Sequence, residues 1–286
     1  MTVLAIIQRS TDFLAKKGVE SPRLQIELLL AHVLKMARMK LYLNFERVLT
    51  EPELEQLRGL VRRRAEREPL QHILGTTSFC GLEIMVNGDV LIPRPETEIL
   101  AERAWSFLSS AGHPAPVFLD FGTGSGCLAL AVGMKCPSAE IYALDISGAA
   151  LAIARENAAA LGLAGRIQFH EGDGFASLPA GLRFHLVASN PPYIPSGEIE
   201  GLEPEVREHD PQLALDGGVD GLDFYRRLAA EAGPRLWPGG KLMAEFGDGQ
   251  AEAVGKIFSH RGWVVEAVER DYSRRERFLI ARFNAS

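Results

Sequence analysis

The sequence predicts an α/β protein in two parts: a small all-helical N-terminal domain, and a doubly wound, mostly parallel seven-stranded sheet reached through a β-hairpin linker. Three observations predict it. The 286 residues exceed what one ordinary hydrophobic core organises and suit two domains. In the first quarter of the chain apolar residues recur at helical spacing, and nothing alternates as a strand would. From residue 116 onward short apolar runs alternate with helical patterns, which is how a parallel sheet covered by helices is written. The expected boundaries are 1–75 for the helical domain, 76–95 for the linker and 96–286 for the sheet domain.

Taken in order, Val3, Leu4, Ile7, Phe13 and Leu14 mark a first helix that Gly18 stops. Ser21 before Pro22 reads as an N-cap with proline at the first helical position, ahead of the stripe Leu24, Ile26, Leu28, Leu29, Val33 and Leu34. Thr50 with Glu53 spells a capping box before Leu54, Leu57, Leu60 and Val61. Residues 79–86 then read as a strand, Asn87-Gly88 as the hairpin turn and 90–92 as the returning strand, which Pro93-Arg94-Pro95 stops. A helix follows over 96–109. Strands are expected at 116–120, 141–145, 167–170, 186–189, 241–245, 263–268 and 278–281. Helices are expected at 127–134, 148–161, 222–231 and 250–259. No helical pattern separates the last two strands, so they should form a hairpin that closes the sheet.

Composition narrows the function classes. With 47% hydrophobic and 24% charged residues the chain reads as soluble and globular, not disordered or fibrous. No apolar run approaches a membrane span, and residues 1–8 lack a basic region and a cleavage site. Cys80, Cys127 and Cys136 are scattered and odd in number, which suggests neither a disulfide framework nor a metal site and favours the cytoplasm. A net charge of −6 argues against an unaided grip on duplex DNA. The charge is uneven, with 13 basic against 9 acidic residues up to Gly75 and 18 against 28 beyond. Arg58, Arg62, Arg63, Arg64 and Arg67 make one helix basic, either as a solvated face or as a docking surface.

The chemistry starts at the first strand of the sheet. Val117-Phe118-Leu119-Asp120-Phe121 runs into Gly122, Thr123, Gly124, Ser125 and Gly126, a loop that turns sharply and leaves room for a ligand at the carboxyl edge of a parallel sheet. No Gly-Lys-Ser/Thr follows, which excludes a triphosphatase loop. Asp145, closing the second strand, can accept hydrogen bonds from ribose hydroxyls. Asp173 and Gly174 follow the third strand, where a carboxylate and an N–H could meet an adenine edge. A dehydrogenase and an S-adenosylmethionine-dependent methyltransferase both remain open at this point.

Asn190-Pro191-Pro192-Tyr193 after the fourth strand decides between them. Two prolines fix the backbone, Asn190 adds a side-chain carbonyl and Tyr193 a flat ring, a set suited to a planar NH₂ group. Hydride transfer has no use for it, so methyl transfer to nitrogen is expected. The competing acid–base candidates are weaker. The seven histidines show no metal-ligand spacing, Ser125 does not sit in a nucleophile elbow, and Cys127 reads as buried against the sheet.

With the glycine loop and Asp145, the Asn-Pro-Pro-Tyr motif resembles the amino-methyltransferases of planar nitrogens. A second stretch narrows the family. Pro69-Leu70-Gln71-His72-Ile73-Leu74-Gly75, then Phe79, Gly81 and Leu82, then Val90-Leu91-Ile92-Pro93-Arg94-Pro95-Glu96-Thr97-Glu98 closely resembles the peptide chain release factor glutamine methyltransferases, the PrmC or HemK family. The resemblance implies a Rossmann-like methyltransferase sheet and S-adenosylmethionine held by Gly122, Thr123, Gly124, Ser125, Gly126, Asp145, Asp173, Gly174 and Asn190. It implies a substrate glutamine, in the Gly-Gly-Gln motif of class-1 release factors, bound by Asn190, Pro191, Pro192 and Tyr193, with Asn190, Pro191 and Tyr193 carrying the reaction. The family often has a larger residue where Gly174 stands, and an aromatic residue and Glu at the positions of His209 and Asp210. A monomer acting on protein is expected; methylation of an exocyclic amine on a nucleic-acid base is the alternative.

Overall fold

In the computed structural model, which describes residues 1–110 and 112–284, the chain opens with α1 (Val3–Lys16), α2 (Pro22–Val33), a 3₁₀ turn at Arg38–Leu43, α3 (Glu51–Ala65) and α4 (Leu70–Leu74). Their apolar stripes meet in one core that includes Val3, Ile7, Leu14, Ile26, Leu29, Leu30, Leu57 and Val61. Each such buried aliphatic side chain contributes about 1.5–3 kcal/mol of transfer free energy. The capping box is present in both halves: the Glu53 N–H donates to Thr50 Oγ1, and the Thr50 N–H donates to Glu53 Oε2 at 2.8 Å. Ser21 does not cap α2 with its side chain. It adopts a left-handed conformation (φ +44°), and the helix start relies on Pro22 instead.

The remaining elements are β1 (Thr76–Phe79), β2 (Leu82–Met85), α5 (Thr97–Ser110), β3 (Val117–Phe121), α6 (Cys127–Lys135), β4 (Glu140–Asp145), α7 (Gly148–Ala160), β5 (Ile167–Glu171), β6 (Phe184–Ser189), α8 (Pro204–Arg207), α9 (Asp223–Glu231), β7 (Leu236–Glu245), α10 (Ala251–His260), β8 (Trp263–Arg270) and β9 (Glu276–Phe283). The chain divides into two compact units. One is Met1–Thr76 with Glu203–His209; the other is Thr77–Leu202 with Asp210 onward.

Within the second unit β3 to β9 form one seven-stranded sheet in the order β5-β4-β3-β6-β7-β9-β8. β3 to β7 are mutually parallel, and β9 runs antiparallel to both β7 and β8. Successive side chains alternate between faces. Phe118, Ile141 and Leu186 enter a core that also holds Leu100, Leu108 and Leu128, while Leu119, Tyr142 and Val187 enter a second core with Tyr225, Leu228 and Phe258. Two apolar faces explain why the parallel strands read as continuous apolar runs.

The hairpin departs from its expected register. The turn lies at Cys80-Gly81 rather than at Asn87-Gly88, and residues 90–92 form no strand. Cys80 accepts a positive φ of +50°, and its N–H donates to Glu98 Oε1 at 2.7 Å. The Asn87 side chain instead accepts from the Asp89 N–H at 2.9 Å, turning the chain locally. Phe79, Ile84, Val86 and Val90 are buried in the first core of the sheet unit, so the 76–95 stretch packs as part of that unit from residue 77.

The segment Glu203–His209, distant in sequence, belongs to the helical unit through charge. Glu205 Oε1 accepts from Arg64 Nη2 at 2.7 Å and from Arg67 Nε at 2.6 Å, and Arg67 also reaches Glu203. Arg58 pairs with Glu51 and Glu55, and Arg63 with Glu68. Four of the five arginines of the basic helix region are thus engaged within their own unit, which removes most of the open basic face that composition suggested.

Candidate active site

Sheet order locates the site. β4 lies on one side of β3 and β6 on the other, so the direction of winding switches between β3 and β6, and a crevice opens at their carboxyl ends. A cavity of about 200 Å³ lies there, within the second unit. Its wall includes Gly122, Thr123, Gly124, Ser125, Asp145, Gly172, Asp173, Gly174, Asn190 and Pro192. Gly126, Pro191 and Tyr193 are not in that wall.

The glycine loop is built for close approach. Gly122 and Gly124 have φ of +75° and +54°, and the space a Cβ would take at either is open to 4 Å. Gly126 serves packing instead: a Cβ there would stand 3.1 Å from Ala154 Cβ, between α6 and α7. Asp145 holds the loop as well as facing the cavity, accepting from the Gly124 N–H at 2.8 Å and the Ser147 N–H at 2.9 Å. Burial raises its carboxyl above the usual range, against those two N–H donors. Beneath the loop, Asp120 Oδ2 accepts from Thr123 Oγ1 at 2.6 Å and the Ala129 N–H at 3.1 Å. Burial pushes its carboxyl up to about 7. Sequence reading gave Asp120 no role; a lone acid inside an apolar strand two residues before the loop was the signal.

At the other end of the cavity, Arg227 from α9 pairs with the Asp173 carboxylate and donates to the Asp173 carbonyl at 2.6 Å. It also fills the space beside Gly174. A Cβ at 174 would lie 2.8 Å from Arg227 Cζ and closer still to Nη2. The absence of a side chain at 174 and the presence of Arg227 in the wall are therefore one arrangement. Phe224 and exposed Ile146 line the same cavity. Neither they nor Arg227 were found from sequence, since helical spacing alone does not say what a helix covers.

The Asn190–Tyr193 turn is held from several sides. The Ser189 hydroxyl donates to the Phe121 carbonyl at 2.6 Å, tying the ends of β6 and β3 together. Gln250 Nε2 donates to the Tyr193 carbonyl at 2.9 Å. The Tyr193 ring packs against the second core of the sheet, and burial pushes its hydroxyl up to about 12. Asn190 Nδ2 donates to Thr97 Oγ1 at 3.1 Å, while Asn190 Oδ1 is buried without a partner among the described residues. Thr97 Oγ1 in turn donates to Glu245 Oε2 at 2.8 Å, and both are buried. An unpaired buried acceptor costs about 1–3 kcal/mol, a cost that a ligand N–H would relieve.

Neither Cys80 nor Cys127 is an activated thiol. Burial raises Cys80 to about 12 and Cys127 higher still. Among the described residues no cluster of three or more His, Cys, Asp or Glu is placed to hold a metal, and no helix is long and apolar enough to cross a membrane. The cavity does suit an adenosine-bearing sulfonium: open backbone at Gly122 and Gly124, a carboxylate closing β4, and an orphaned acceptor at Asn190.

Comparison with known proteins agrees. Residues 5–75 match the family described as PrmC N-terminal domain, and 106–201 match the methyltransferase small domain. A release factor glutamine methyltransferase of Geobacter sulfurreducens is 48% identical over 262 residues, covering 92% of this chain and 90% of that one. Those of Rhodospirillum rubrum (42%, 98% of this chain and 85% of that one) and Chlorobaculum tepidum (41%, 97% and 96%) are similar over almost the whole length. A methyltransferase of Pyrococcus furiosus shares the fold, with a TM-score of 0.53 at 18% identity over 80% of this chain and 97% of that one. On identity sustained across both units, the chain belongs to the release factor glutamine methyltransferases, enzymes that use S-adenosylmethionine as methyl donor.

Proposed function

We propose that this protein methylates the side-chain amide nitrogen, N5, of the glutamine in the Gly-Gly-Gln motif of class-1 peptide chain release factors. It does so as a monomer in the cytoplasm, with protein rather than nucleic acid as acceptor. The observation that carries the reading is that Asn190, whose Oδ1 is buried without a partner among the described residues, lines the same cavity as the glycine loop. Three free cysteines accord with a reducing compartment.

Bound S-adenosylmethionine supplies an electrophilic methyl group on a sulfonium. Gly122, Thr123, Gly124, Ser125 and Asp145 hold its methionine and ribose portions, and Asp173 and Gly174 border the adenine. The acceptor amide nitrogen is a poor nucleophile because its lone pair is delocalised into the carbonyl. Asn190 Oδ1 and the Pro191 carbonyl accept its two N–H bonds and aim the lone pair. Among the described residues nothing else donates to either oxygen. As the nitrogen pyramidalises and gains positive charge, both acceptors bind it more strongly, so the stabilisation is largest at the transition state. With the cofactor bound, the methyl–sulfur bond would break as the methyl–nitrogen bond forms, leaving the neutral thioether S-adenosylhomocysteine, and the nitrogen would then shed its surplus proton to solvent, so no general base is needed before the new bond forms. Pro192 walls the pocket, and Tyr193 buttresses the turn from the core side.

Residues 1–75 are read as the unit that recognises the release factor; their arginines are largely paired, so that recognition rests on shape and apolar contact more than on an open basic face. The test is methyl transfer itself. Full-length protein, S-adenosylmethionine and either unmodified release factor or RNA are incubated, and the added methyl is located by mass spectrometry. Label on the Gly-Gly-Gln glutamine is expected, and Asn190→Ala should lower turnover about a hundredfold. Label on a base and none on glutamine would overturn the reading in favour of the nucleic-acid alternative.

A further inference from the structure

Asparagine presents a carbonyl at one end of its amide and two N–H donors at the other, and only the carbonyl end serves a substrate N–H. Something must therefore decide which end faces the cavity. Asn190 Nδ2 lies 3.1 Å from Thr97 Oγ1, the first residue of α5, and Thr97 Oγ1 lies 2.8 Å from Glu245 Oε2 at the end of β7. Thr97 is 2% exposed and Glu245 1%, so water does not substitute for either partner. A hydroxyl has one proton. An ionised Glu245 can only accept, so the Thr97 proton goes to it, and the Thr97 oxygen can then only accept from Asn190. The amide is forced to turn Nδ2 inward and Oδ1 the other way.

Building on the proposed role of Asn190 as acceptor for the substrate amide, we infer that Thr97 and Glu245 form a positioning relay that fixes the orientation of the Asn190 side chain. Neither is a catalytic residue; both act through Asn190. The relay has a polarity that pH can reverse. Glu245 faces Thr97 on α5, Arg94 and Glu96 just before it, Tyr193 after β6, Tyr225 on α9 and Arg277 on β9. Burial outweighs the Thr97 hydrogen bond and the nearby arginines and raises its carboxyl to about 7. Once protonated, Glu245 can donate to Thr97 itself. The Thr97 proton is then free to point at Asn190 and favours the flipped, unproductive amide. Turnover should therefore fall as pH drops through about 7, because the protonated form dominates below that value.

The experiment measures kcat and release-factor KM with the full chain at saturating S-adenosylmethionine, and cofactor Kd by calorimetry, for Thr97→Val, Thr97→Ser, Glu245→Gln, Asn190→Ala and the Asn190→Ala/Thr97→Val pair. Thr97→Val is expected to lower kcat about tenfold or more, with KM and cofactor Kd changed by less than about twofold. Thr97→Ser should restore most of the lost turnover. In the Asn190→Ala background Thr97→Val should cost nothing further, because its effect passes through that amide. Glu245→Gln should lose the fall in kcat below about pH 7. An Asn190→Ala protein that keeps full turnover removes the reading of Asn190 and the relay with it. Loss in Asn190→Ala with an unchanged Thr97→Val, or additive losses in the pair, overturns the relay alone. Should Thr97→Val fail to bind cofactor, the pH profile of Glu245→Gln decides: an unaltered acid limb overturns the relay.

Discussion

Replacing Glu205 by glutamine should loosen the segment 203–209 from the helical unit without touching the sheet unit's core. The carboxylate takes hydrogen bonds from Arg64 and Arg67, of which Arg64 is 3% exposed, and is itself 19% exposed in its side chain. Burial works to raise its pKa, but Arg67 and Arg64 bring it from 4.5 down to about 2. At about 1.4 kcal/mol per pKa unit, and allowing for partial exposure, the pairing is worth roughly 2–3 kcal/mol. Glutamine removes the charge and turns a donor toward two guanidinium groups. The folded pKa is depressed, so the contribution is fully present above the unfolded value of about 4.3 and is lost as pH falls toward 2. Trp105, Trp237 and Trp263 all lie in the sheet unit, so fluorescence does not report on this change. Amide hydrogen exchange does. The N–H groups of Val206, Arg207 and Glu208, bonded to the Glu203 and Pro204 carbonyls, should exchange roughly 30- to 150-fold faster in Glu205→Gln at pH 7. The gap between the two proteins should close as pH falls from 5 to 2. Equal exchange at pH 7 would refute the argument that this ion pair holds the segment.

Three further outcomes follow from the same geometry. Asp145→Asn leaves one of the Gly124 and Ser147 N–H groups facing a donor and should weaken cofactor binding about tenfold or more by calorimetry; an unchanged Kd would contradict its role in holding the loop. Gly174→Ala forces an alanine into φ +87°, ψ −168° and displaces Arg227 from Asp173, at about 1–3 kcal/mol, seen as a lower Tm. Adding Arg227→Ala should recover only the clash and not the backbone strain, and full recovery would show the strain to be negligible. Phe258→Ala empties a fully buried site edge-on to Trp263, with ring centroids 5.4 Å apart, and should cost about 3–5 kcal/mol in urea unfolding followed by tryptophan fluorescence. A loss below about 1 kcal/mol would mean that the second core collapses around the void.

What could be read from sequence was what is local. Gly122, Gly124, Asp145 and Asn190 each stand just after or at the end of an apolar strand run, and parallel winding sends all such ends to one edge of the sheet. The capping box at Thr50 and Glu53 was legible for the same reason, being four residues long. Thr97, Glu245 and Arg227 were not. Thr97 and Glu245 are 148 positions apart, and each looks locally like an ordinary helix-start or strand-end residue. The hairpin misled because Asn-Gly is a strong turn signal, yet burying both Phe79 and Ile84 with Val86 and Val90 requires the turn at Cys80-Gly81. Tyr193, expected as a stacking face for the substrate, packs its ring against the second core and is not in the wall of the cavity. The basic helix misled in a different way, since the acids that neutralise Arg64 and Arg67 come from positions 203 and 205.

The stretch Arg94-Pro95-Glu96-Thr97-Glu98 carried the sequence resemblance, and its geometry gives a physical reason for it to accompany Asn-Pro-Pro-Tyr. Arg94 Nη2 donates to Asp210 Oδ2 at 2.6 Å, beyond the loop that follows the Asn190 turn. Thr97 takes the Asn190 amide, and Glu98 takes the Cys80 N–H that fixes the hairpin turn. Five consecutive residues thus join the hairpin, the Asn190–Tyr193 turn and the far end of the loop that follows it, all within the sheet unit. None of the three contacts can be exchanged independently. Moving Thr97 by one helical position would rotate it about 100° away from Asn190 and also shift Glu98 from Cys80. A chain that keeps Asn-Pro-Pro-Tyr but lacks a hydroxyl at this position must orient its asparagine by other means. Such a chain would be expected to present a differently arranged acceptor, which is why the two motifs together specify more than either does alone.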